Sequence, residues 1–205
     1  GQTLIDTAAQ LGVVLVLCFM LWAIFGRKAG SFARYVGLVA PTRRAMGWAL
    51  ALALVVGPLT VAYYYFSPLR DLASGPNTVA GEIRAMGFSL ETVAVIAILG
   101  FVKTALAEEI FFRGLIAKRL INLAGFWPGN IMQATLFAAV HLLLFAVPGG
   151  PAFSWALAGP MLAILLVTSL VKVWLNERIG NGSIAPGWLI HGALNAVAYP
   201  VLAFA

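Results

Sequence analysis

Long runs of apolar residues recur along the whole chain, and the short stretches between them carry most of the charges and the Pro and Gly turn signals. A run of about 18 or more apolar residues can cross roughly 30 Å of hydrocarbon as a helix. Read with a window of about 19 residues, the pattern predicts helices at 8–26, 46–66, 89–120, 130–147, 153–176 and 184–204. We therefore expect an all-α fold, a polytopic membrane helix bundle of about six transmembrane helices.

The composition agrees with a bilayer as the solvent of this protein. The 205 residues are 62% hydrophobic and only 10% charged, and the mean hydropathy is +0.97. Soluble domains are roughly half apolar and one quarter charged. Because the apolar runs leave no soluble part over, we expect a single membrane-embedded domain, residues 1–205, with the lipid bilayer as its main partner.

The formal net charge of +6 does not predict a nucleic-acid partner, because the basic residues lie at the ends of apolar runs. There they are typical of topology signals and of contacts to lipid headgroups. The connection after the first helix contains only basic charges, Arg27, Lys28, Arg34, Arg43 and Arg44. The positive-inside rule places this connection in the cytoplasm, and we expect an integral protein of a prokaryotic plasma membrane.

Alternation from that connection puts both termini outside, which leaves room for a further helix upstream of Gly1. Turn signals mark two later connections. Ser67-Pro68 and Gly75-Pro76-Asn77 lie between the second and third helices, and 147–151 lies between the fourth and fifth. Because the connection at 147–151 is short, the fourth and fifth helices are predicted to be antiparallel neighbours. The helix at 89–120 measures about 48 Å at 1.5 Å per residue, so it tilts or projects beyond the bilayer.

Ionisable side chains inside the apolar runs are the candidates for function, because burying each in a bilayer costs a few kcal/mol. The candidates are Lys103, Glu108, Glu109, Arg113, His141 and His191. Glu109 and Arg113 are four residues apart and share a helix face, whereas Glu108 points elsewhere. We expect Arg113 to neutralise Glu109 and Glu108 to face a cavity as a general base. Lys103 falls on another face of the helix, which favours a structural role or a contact with interior water over catalysis.

Two further helices carry polar groups at a similar depth. Phe137 precedes His141 by one turn and is expected to limit rotation of the imidazole ring. His191 and Asn195 again lie four residues apart, which places two hydrogen-bond donors on one face for a developing oxyanion. Small residues beside these groups predict close approach of the three helices, and they are Ala105, Ala107, Gly114, Ala138, Ala139, Gly192 and Ala193.

At these positions the sequence resembles a known family. Residues 108–113, EEIFFR, match E-E-x-x-x-R; residues 137–141, FAAVH, match F-x-x-x-H; and residues 191–195, HGALN, match H-x-x-x-N. These are the three motifs of the CPBP (CAAX protease, or Abi) family of intramembrane glutamic endopeptidases. Each motif is weak alone, but their order and their places on hydrophobic helices are specific. The resemblance covers residues 108–195 and gives a motif-bearing core at 89–204.

The resemblance implies an intramembrane endopeptidase that cuts a peptide or protein substrate at the membrane, near its cytoplasmic face. Glu108 and His141 would activate a water molecule, His191 and Asn195 would stabilise the oxyanion, and the remaining motif residues would support them: Glu109, Arg113 and Phe137. No cofactor is implied. Fuller members of the family have about eight spans, so this chain departs from the family in the number of its helices.

Three alternatives remain open at the sequence level. A zinc peptidase would use Glu108, His141 and His191 as ligands, although H-E-x-x-H is missing. A non-catalytic scaffold or bacteriocin-immunity type of protein would keep the same residues for packing or for binding a membrane partner subunit. A proton-coupled transporter would also bury carboxylates and imidazoles, but the chain shows no inverted repeat.

Overall fold

The computed structural model describes residues 2–67, 70, 75, 78–146 and 152–204. Its membrane-length helices are α1 (Thr3–Gly26), α3 (Arg43–Phe66), α5 (Leu90–Ala124), α6 (Phe126–Phe145), α7 (Trp155–Ile179) and α8 (Ala185–Phe204). Two short helices, α2 (Phe32–Tyr35) and α4 (Val79–Met86), lie in the connections. The described part of the chain thus confirms the all-α class and the six spans. The single domain 1–205 and its core at 89–204 stay predictions.

The long helix α5 departs from regular α-helical hydrogen bonding on both sides of Glu108. Wider, π-type turns run over Ile98–Leu106 and Glu109–Ala117, and such turns free backbone carbonyls and are frequent at functional sites. Two side chains of α8 donate to carbonyls in the first of these segments: Trp188 Nε1 to Phe101 O at 2.7 Å and Asn195 Nδ2 to Gly100 O at 3.3 Å. The irregular backbone of α5 is therefore tied directly to α8.

The turn between α5 and α6 is sharp because Gly125 adopts a φ of 84°, a conformation that glycine reaches without a Cβ penalty. A Cβ on Gly129 would overlap the backbone of Leu120 and Ile121. This pair of glycines lets α6 fold back tightly against the end of α5. The motif residues of the two helices are thereby brought to the same side.

Helices α6 and α7 are antiparallel neighbours, as the short connection predicts. Asn130 near the start of α6 donates to the carbonyl of Leu170 near the end of α7, at 3.1 Å. At the opposite end, Phe145 packs in the cluster around Met161. The turn signals at 147–151, and Pro68, Pro76 and Asn77 of the preceding signals, lie outside the described residues.

Helix α4 lies within the connection between α3 and α5, where the sequence predicts no helix. Its Arg84 donates to the carbonyls of Leu202 and Ala203, both at 2.8 Å. The last carbonyls of a helix have no partner within that helix, so this arginine caps the end of α8. The helix packs on α5 and α8 through Ala80 and Ile83.

Lys118 and Arg119, the basic pair that follows the motif at 108–113, form contacts with other parts of the protein. Lys118 Nζ binds Glu177 on α7 and donates to Gly182 O at 2.7 Å. Arg119 donates to Tyr35 O at 2.8 Å, and its guanidinium lies over the Tyr35 ring. These contacts join the same end of α5 to α7 and to α2.

Candidate active site

The predicted functional residues converge on one cavity inside the bundle. The cavity measures about 330 Å³ and is lined by residues of α3, α4, α5, α6, α7 and α8. Glu108 reaches it from α5, His141 from α6, and His191 and Asn195 from α8. The close helix approach that this needs is visible at Gly192, where a Cβ would overlap the Phe101 ring. Three separate motifs of the sequence therefore share one space.

Glu109 is the centre of the charged cluster behind this cavity. Its side chain is fully buried, and its Oε1 atom is approached by Lys172 Nζ at 2.8 Å, His191 Nδ1 at 3.0 Å and Arg113 Nη1 at 3.4 Å. One carboxylate oxygen thus meets two cations and an imidazole nitrogen at close range. The pairing expected between Glu109 and Arg113 is present, and Glu109 additionally joins α5 to α7 and α8.

Arg113 and Phe137 form the floor of the cluster. The Arg113 guanidinium is 1% exposed, and its Cζ lies 3.9 Å from the centroid of the Phe137 ring. The same ring lies 4.7 Å from the His141 ring and 6.5 Å from the His191 ring, centroid to centroid. Phe137 therefore limits the space available to both imidazoles, which extends the role that the sequence assigned to it.

A chain of buried hydrogen bonds leads away from Arg113. Its Nη2 donates to Ser169 Oγ at 2.8 Å, and this hydroxyl donates to Gln133 Oε1 at 3.2 Å. Gln133 Nε2 then donates to Asn130 Oδ1 at 2.9 Å. Ser169, Gln133 and Asn130 are all fully buried. Since every donor points in the same direction along the chain, the bonds can strengthen one another, and they hold the arginine in one orientation.

The tautomers of both histidines follow from their partners. His141 Nδ1 lies 2.7 Å from the carbonyl of Phe137, and His191 Nδ1 lies 3.0 Å from the Glu109 carboxylate. Each partner atom only accepts hydrogen bonds, so each Nδ1 carries the proton. The Nε2 atoms are then the groups that the two imidazoles offer to the cavity.

Glu108 differs from Glu109 in its exposure and in its position at the wall of the cavity. Its side chain is 26% exposed in the bundle, and its Oε2 atom lies 3.8 Å from His191 Nε2. That oxygen has no hydrogen-bond partner among the described residues. One water molecule can reach both Oε2 and Nε2 at this separation. Glu109 Oε2 also has no hydrogen-bond partner among the described residues, but Glu109 is fully buried and does not line the cavity. Glu108 is therefore the glutamate that is available to the cavity as a proton acceptor.

Asn195 keeps one donor for the cavity. Its Nδ2 donates to Gly100 O at 3.3 Å, and an amide nitrogen has two hydrogens. The side chain is 9% exposed. Because the bond to α5 fixes the amide plane, the second hydrogen is held in place for an acceptor such as an oxyanion.

A close approach at Gly187 holds Glu109 from the other side. A Cβ on this residue would lie 2.8 Å from Glu109 Oε2 and 2.9 Å from Asn176 Nδ2. The Gly187 N–H donates to Asn176 Oδ1 at 2.9 Å, which satisfies one of the free amides at the start of α8. Only glycine leaves the space for a buried carboxylate and a buried amide beside the helix end.

Sequence reasoning missed Lys172, Ser169, Gln133, Asn130 and Asn176. Lys172 is 4% exposed, lines the cavity and binds Glu109. The signal was present, since an ionisable residue inside an apolar run invites a functional reading. Lys172 lies close to the end of its run, where a lysine is usually a topology signal, and the polar residues have no motif position.

Lys103, the remaining ionisable candidate, is not among the cavity-lining residues. Its backbone carbonyl accepts a hydrogen bond from Gln10 at 2.9 Å, which ties α5 to α1. The structural role expected for its side chain stays a prediction. Within the described residues, no three His, Cys, Asp or Glu side chains are grouped in a way that could hold a metal ion.

The fold and the site define a polytopic membrane protein with a carboxylate, two imidazoles and an amide around an internal cavity. Residues 90–197, just over half of the chain, match the model of a family described as type II CAAX prenyl endopeptidase Rce1-like. The chain belongs to this family, which confirms the resemblance carried by the three motifs. Comparison with curated proteins and comparison with solved structures each gave no match.

Proposed function

We propose that this protein is an intramembrane endopeptidase in which Glu108 acts as the general base. One observation carries the proposal: Glu108, His141, His191 and Asn195 come from three helices and line the same cavity. The family supports a protease of the CAAX type with a peptide substrate at the membrane. The arrangement around Glu108 supports the chemistry.

In the proposed reaction, a water molecule bound between Glu108 Oε2 and the imidazoles attacks the carbonyl carbon of the peptide bond. Its proton passes to the Glu108 carboxylate as the new C–O bond forms. The Nε2 atom of His141 orients the water, because Nδ1 of this ring is held by the Phe137 carbonyl. Protonated Glu108 then gives the proton to the leaving nitrogen as the C–N bond breaks.

The oxyanion of the tetrahedral intermediate needs hydrogen-bond donors, and removing one such donor typically costs about 10²–10³ in rate. Asn195 offers one N–H without any change of protonation. His191 offers a second donor only when Nε2 carries a proton, because its Nδ1–H is directed at Glu109. We assign His191 to this role and also to binding the water, since its Nε2 lies 3.8 Å from Glu108.

The rest of the cavity supports a substrate with an apolar part. Away from the polar end, its walls are formed by aliphatic side chains of α3, α7 and α8, among them Val56, Val61, Ile164, Leu165 and Leu194. A C-terminal peptide that bears a prenylated cysteine would place its lipid there and its peptide at Glu108. The basic end of α5 at Lys118 lies about ten residues, or about 15 Å, from Glu108, which is about half of the roughly 30 Å of hydrocarbon and favours a site near the middle of the bilayer.

Purified protein in proteoliposomes provides the test. Two fluorogenic peptides of the same sequence, with and without a farnesyl group on the cysteine of a C-terminal CAAX sequence, are compared with internal quenched peptides. Wild type is expected to cut at least one of them, and Glu108→Gln is expected to lower the rate by about 10²-fold or more. Wild-type cleavage that persists in Glu108→Gln would overturn the role of Glu108.

Exhaustive chelation separates this mechanism from the zinc alternative. A zinc peptidase loses its activated water with the metal, so its rate would fall with o-phenanthroline and recover on addition of zinc. Under the glutamate mechanism, the rate is expected to stay unchanged in the same experiment. The ligand set of the alternative would be Glu108, His141 and His191.

The scaffold reading is tested by the same Glu108→Gln variant in cells. A scaffold would need the side-chain contacts that Glu109, Arg113 and Ser169 make between helices. It would not need Glu108, whose Oε2 has no hydrogen-bond partner in the described part of the chain. A cellular function that survives Glu108→Gln, together with no peptide cleavage by wild type, would favour a non-catalytic protein.

A further inference from the structure

A second cleft lies between the start of α3 and the end of α7, and it shares no lining residue with the cavity of the site. It measures about 490 Å³ and is lined by Thr42, Arg44, Trp48, Trp174, Arg178 and Ile179. Thr42 Oγ1 donates to the carbonyl of Ile179 at 2.7 Å. One helix thus begins where the other ends, at the same edge of the membrane-spanning bundle.

Each wall of this cleft carries an arginine and a tryptophan four residues apart. On α3 these are Arg44 and Trp48, and on α7 they are Trp174 and Arg178, so each pair shares a helix face. Since the helices are antiparallel, both arginines lie toward the outer edge and both indoles lie about one turn deeper. Trp48 and Trp174 are 53% and 41% exposed. One turn below the arginines is the depth at which tryptophan side chains meet the boundary between headgroups and acyl chains.

No ion pair to Arg44 or Arg178 is formed within the described residues. The lining of the cleft contains no acidic residue, and the nearby Glu177 binds Lys118 instead. The Arg178 guanidinium lies over the Phe126 ring, with Cζ 4.1 Å from the centroid. Stacking uses the face of the guanidinium and leaves its in-plane N–H groups free for a bidentate anion.

We propose that this cleft binds the phosphate headgroup of an anionic phospholipid. Arg44 and Arg178 bind the phosphate from two sides, and the indoles of Trp48 and Trp174 contact the glycerol and the first part of the acyl chains. A phosphate satisfies two cations at the edge of the bilayer, whereas a neutral, zwitterionic lipid brings its own ammonium group between them. The bound lipid would bridge the start of α3 and the end of α7.

The test measures lipids that stay on the purified full chain by native mass spectrometry, with phosphatidylglycerol or phosphatidylcholine of identical acyl chains titrated into detergent. Wild type is expected to retain phosphatidylglycerol preferentially. Arg44→Gln and Arg178→Gln are each expected to weaken retention about fivefold, as removal of one basic residue at an anionic surface does. Arg44 forms no ion pair within the described part of the protein, so its substitution leaves the fold intact.

Arg43→Gln is the matched control, because it removes the same charge from the adjacent position, which does not line the cleft. It is expected to retain the lipid as wild type does. Equal retention of the two lipids by wild type would overturn the proposal, as would an equal loss in Arg43→Gln and Arg44→Gln. Competition by inorganic phosphate or glycerol phosphate at concentrations similar to the lipid would also overturn it, because the site would then recognise a free anion. None of these outcomes depends on peptidase activity.

Discussion

The Nδ1 atom of His191 lies 3.0 Å from Oε1 of Glu109, and Nε2 of the same ring lies 3.8 Å from Oε2 of Glu108. Two neighbouring glutamates thus face opposite nitrogens of one imidazole. Glu109 fixes the tautomer and the orientation of the ring, while Glu108 is directed at the cavity. This division of labour predicts different consequences for the same substitution at the two positions.

Glu109→Gln is expected to destabilise the protein strongly. It leaves Arg113 and Lys172 buried without their anion, and removal of one partner from a buried ion pair costs about 3–5 kcal/mol. Among the described residues, Glu108→Gln changes only the 3.8 Å contact between Oε2 and His191 Nε2 and breaks no hydrogen bond of Oε2, so it is expected to change the unfolding free energy by less than about 0.5 kcal/mol. Unfolding in mixed micelles with increasing sodium dodecyl sulfate measures both. Equal stability loss in the two variants would show that the structure assigns the glutamates wrongly.

Lys172→Met is expected to lower kcat about tenfold or more while KM changes little. The variant removes the cation 2.8 Å from Glu109 Oε1, so the carboxylate moves and the His191 ring moves with it. A misplacement of about 1 Å can cost about 10²-fold in rate. Peptide cleavage at several substrate concentrations gives the two constants.

Two variants separate this role from a general effect of charge. Lys172→Arg keeps a cation near Glu109 and is expected to retain more activity than Lys172→Met. Lys103→Met removes a lysine from a membrane helix at a position that does not line the cavity, and it is expected to resemble wild type. A loss in Lys103→Met as large as that in Lys172→Met would contradict the role of Lys172.

The sequence predicts the helices of the structure, and it predicts which motif residues lie within them, for physical reasons. The energy of crossing hydrocarbon requires long apolar runs, so the six spans follow from hydropathy, with ends that differ from the structure by a few residues. The cost of burying charge singles out Glu108, Glu109, Arg113, His141 and His191. The periodicity of a helix predicts the pairing of Glu109 with Arg113.

The partners that these residues find across helices are not encoded in local spacing. Lys172 meets Glu109 only because α7 packs beside α5, and Asn176 meets Gly187 only because α7 and α8 are joined by a tight turn. Helix α4 was missed because its eight residues (Val79–Met86) are too few for a membrane span and carry both signs of charge. Long-range packing decides these features, and hydropathy does not describe it.

Gly187→Ala is expected to reduce the rate of peptide cleavage about tenfold or more, while the protein remains folded. The added Cβ lies within van der Waals overlap of Glu109 Oε2 and Asn176 Nδ2, and Glu109 cannot retreat because Lys172 and His191 hold its other oxygen. The displacement passes to the imidazole, where about 1 Å matters. Size-exclusion chromatography checks folding, and the peptide assay gives the rate.

Gly47→Ala is the control for this change, since a Cβ there meets nothing within 4 Å. Gly47 lies in the second turn of α3, and within a helix alanine is favoured over glycine by about 1 kcal/mol, so this variant is expected to be as active as wild type and at least as stable. If Gly187→Ala behaved like Gly47→Ala, the tight packing of α8 against Glu109 would be disproved.

Ser169→Ala is expected to destabilise the bundle by about 1–3 kcal/mol, the cost of leaving buried polar groups without a partner. Its hydroxyl is the link between Arg113 Nη2, at 2.8 Å, and Gln133 Oε1, at 3.2 Å, and methyl groups can replace neither bond. The adjacent Thr168 has a hydroxyl that donates to Ile164 O within its own helix, at 2.7 Å, so Thr168→Ala is expected to change stability by less than about 0.5 kcal/mol. Unfolding of the two alanine variants, measured side by side, compares a hydroxyl that joins three helices with one that bonds within a single helix. Equal stabilities of the two variants would mean that the buried hydrogen bonds from Arg113 to Asn130 contribute nothing to holding the site.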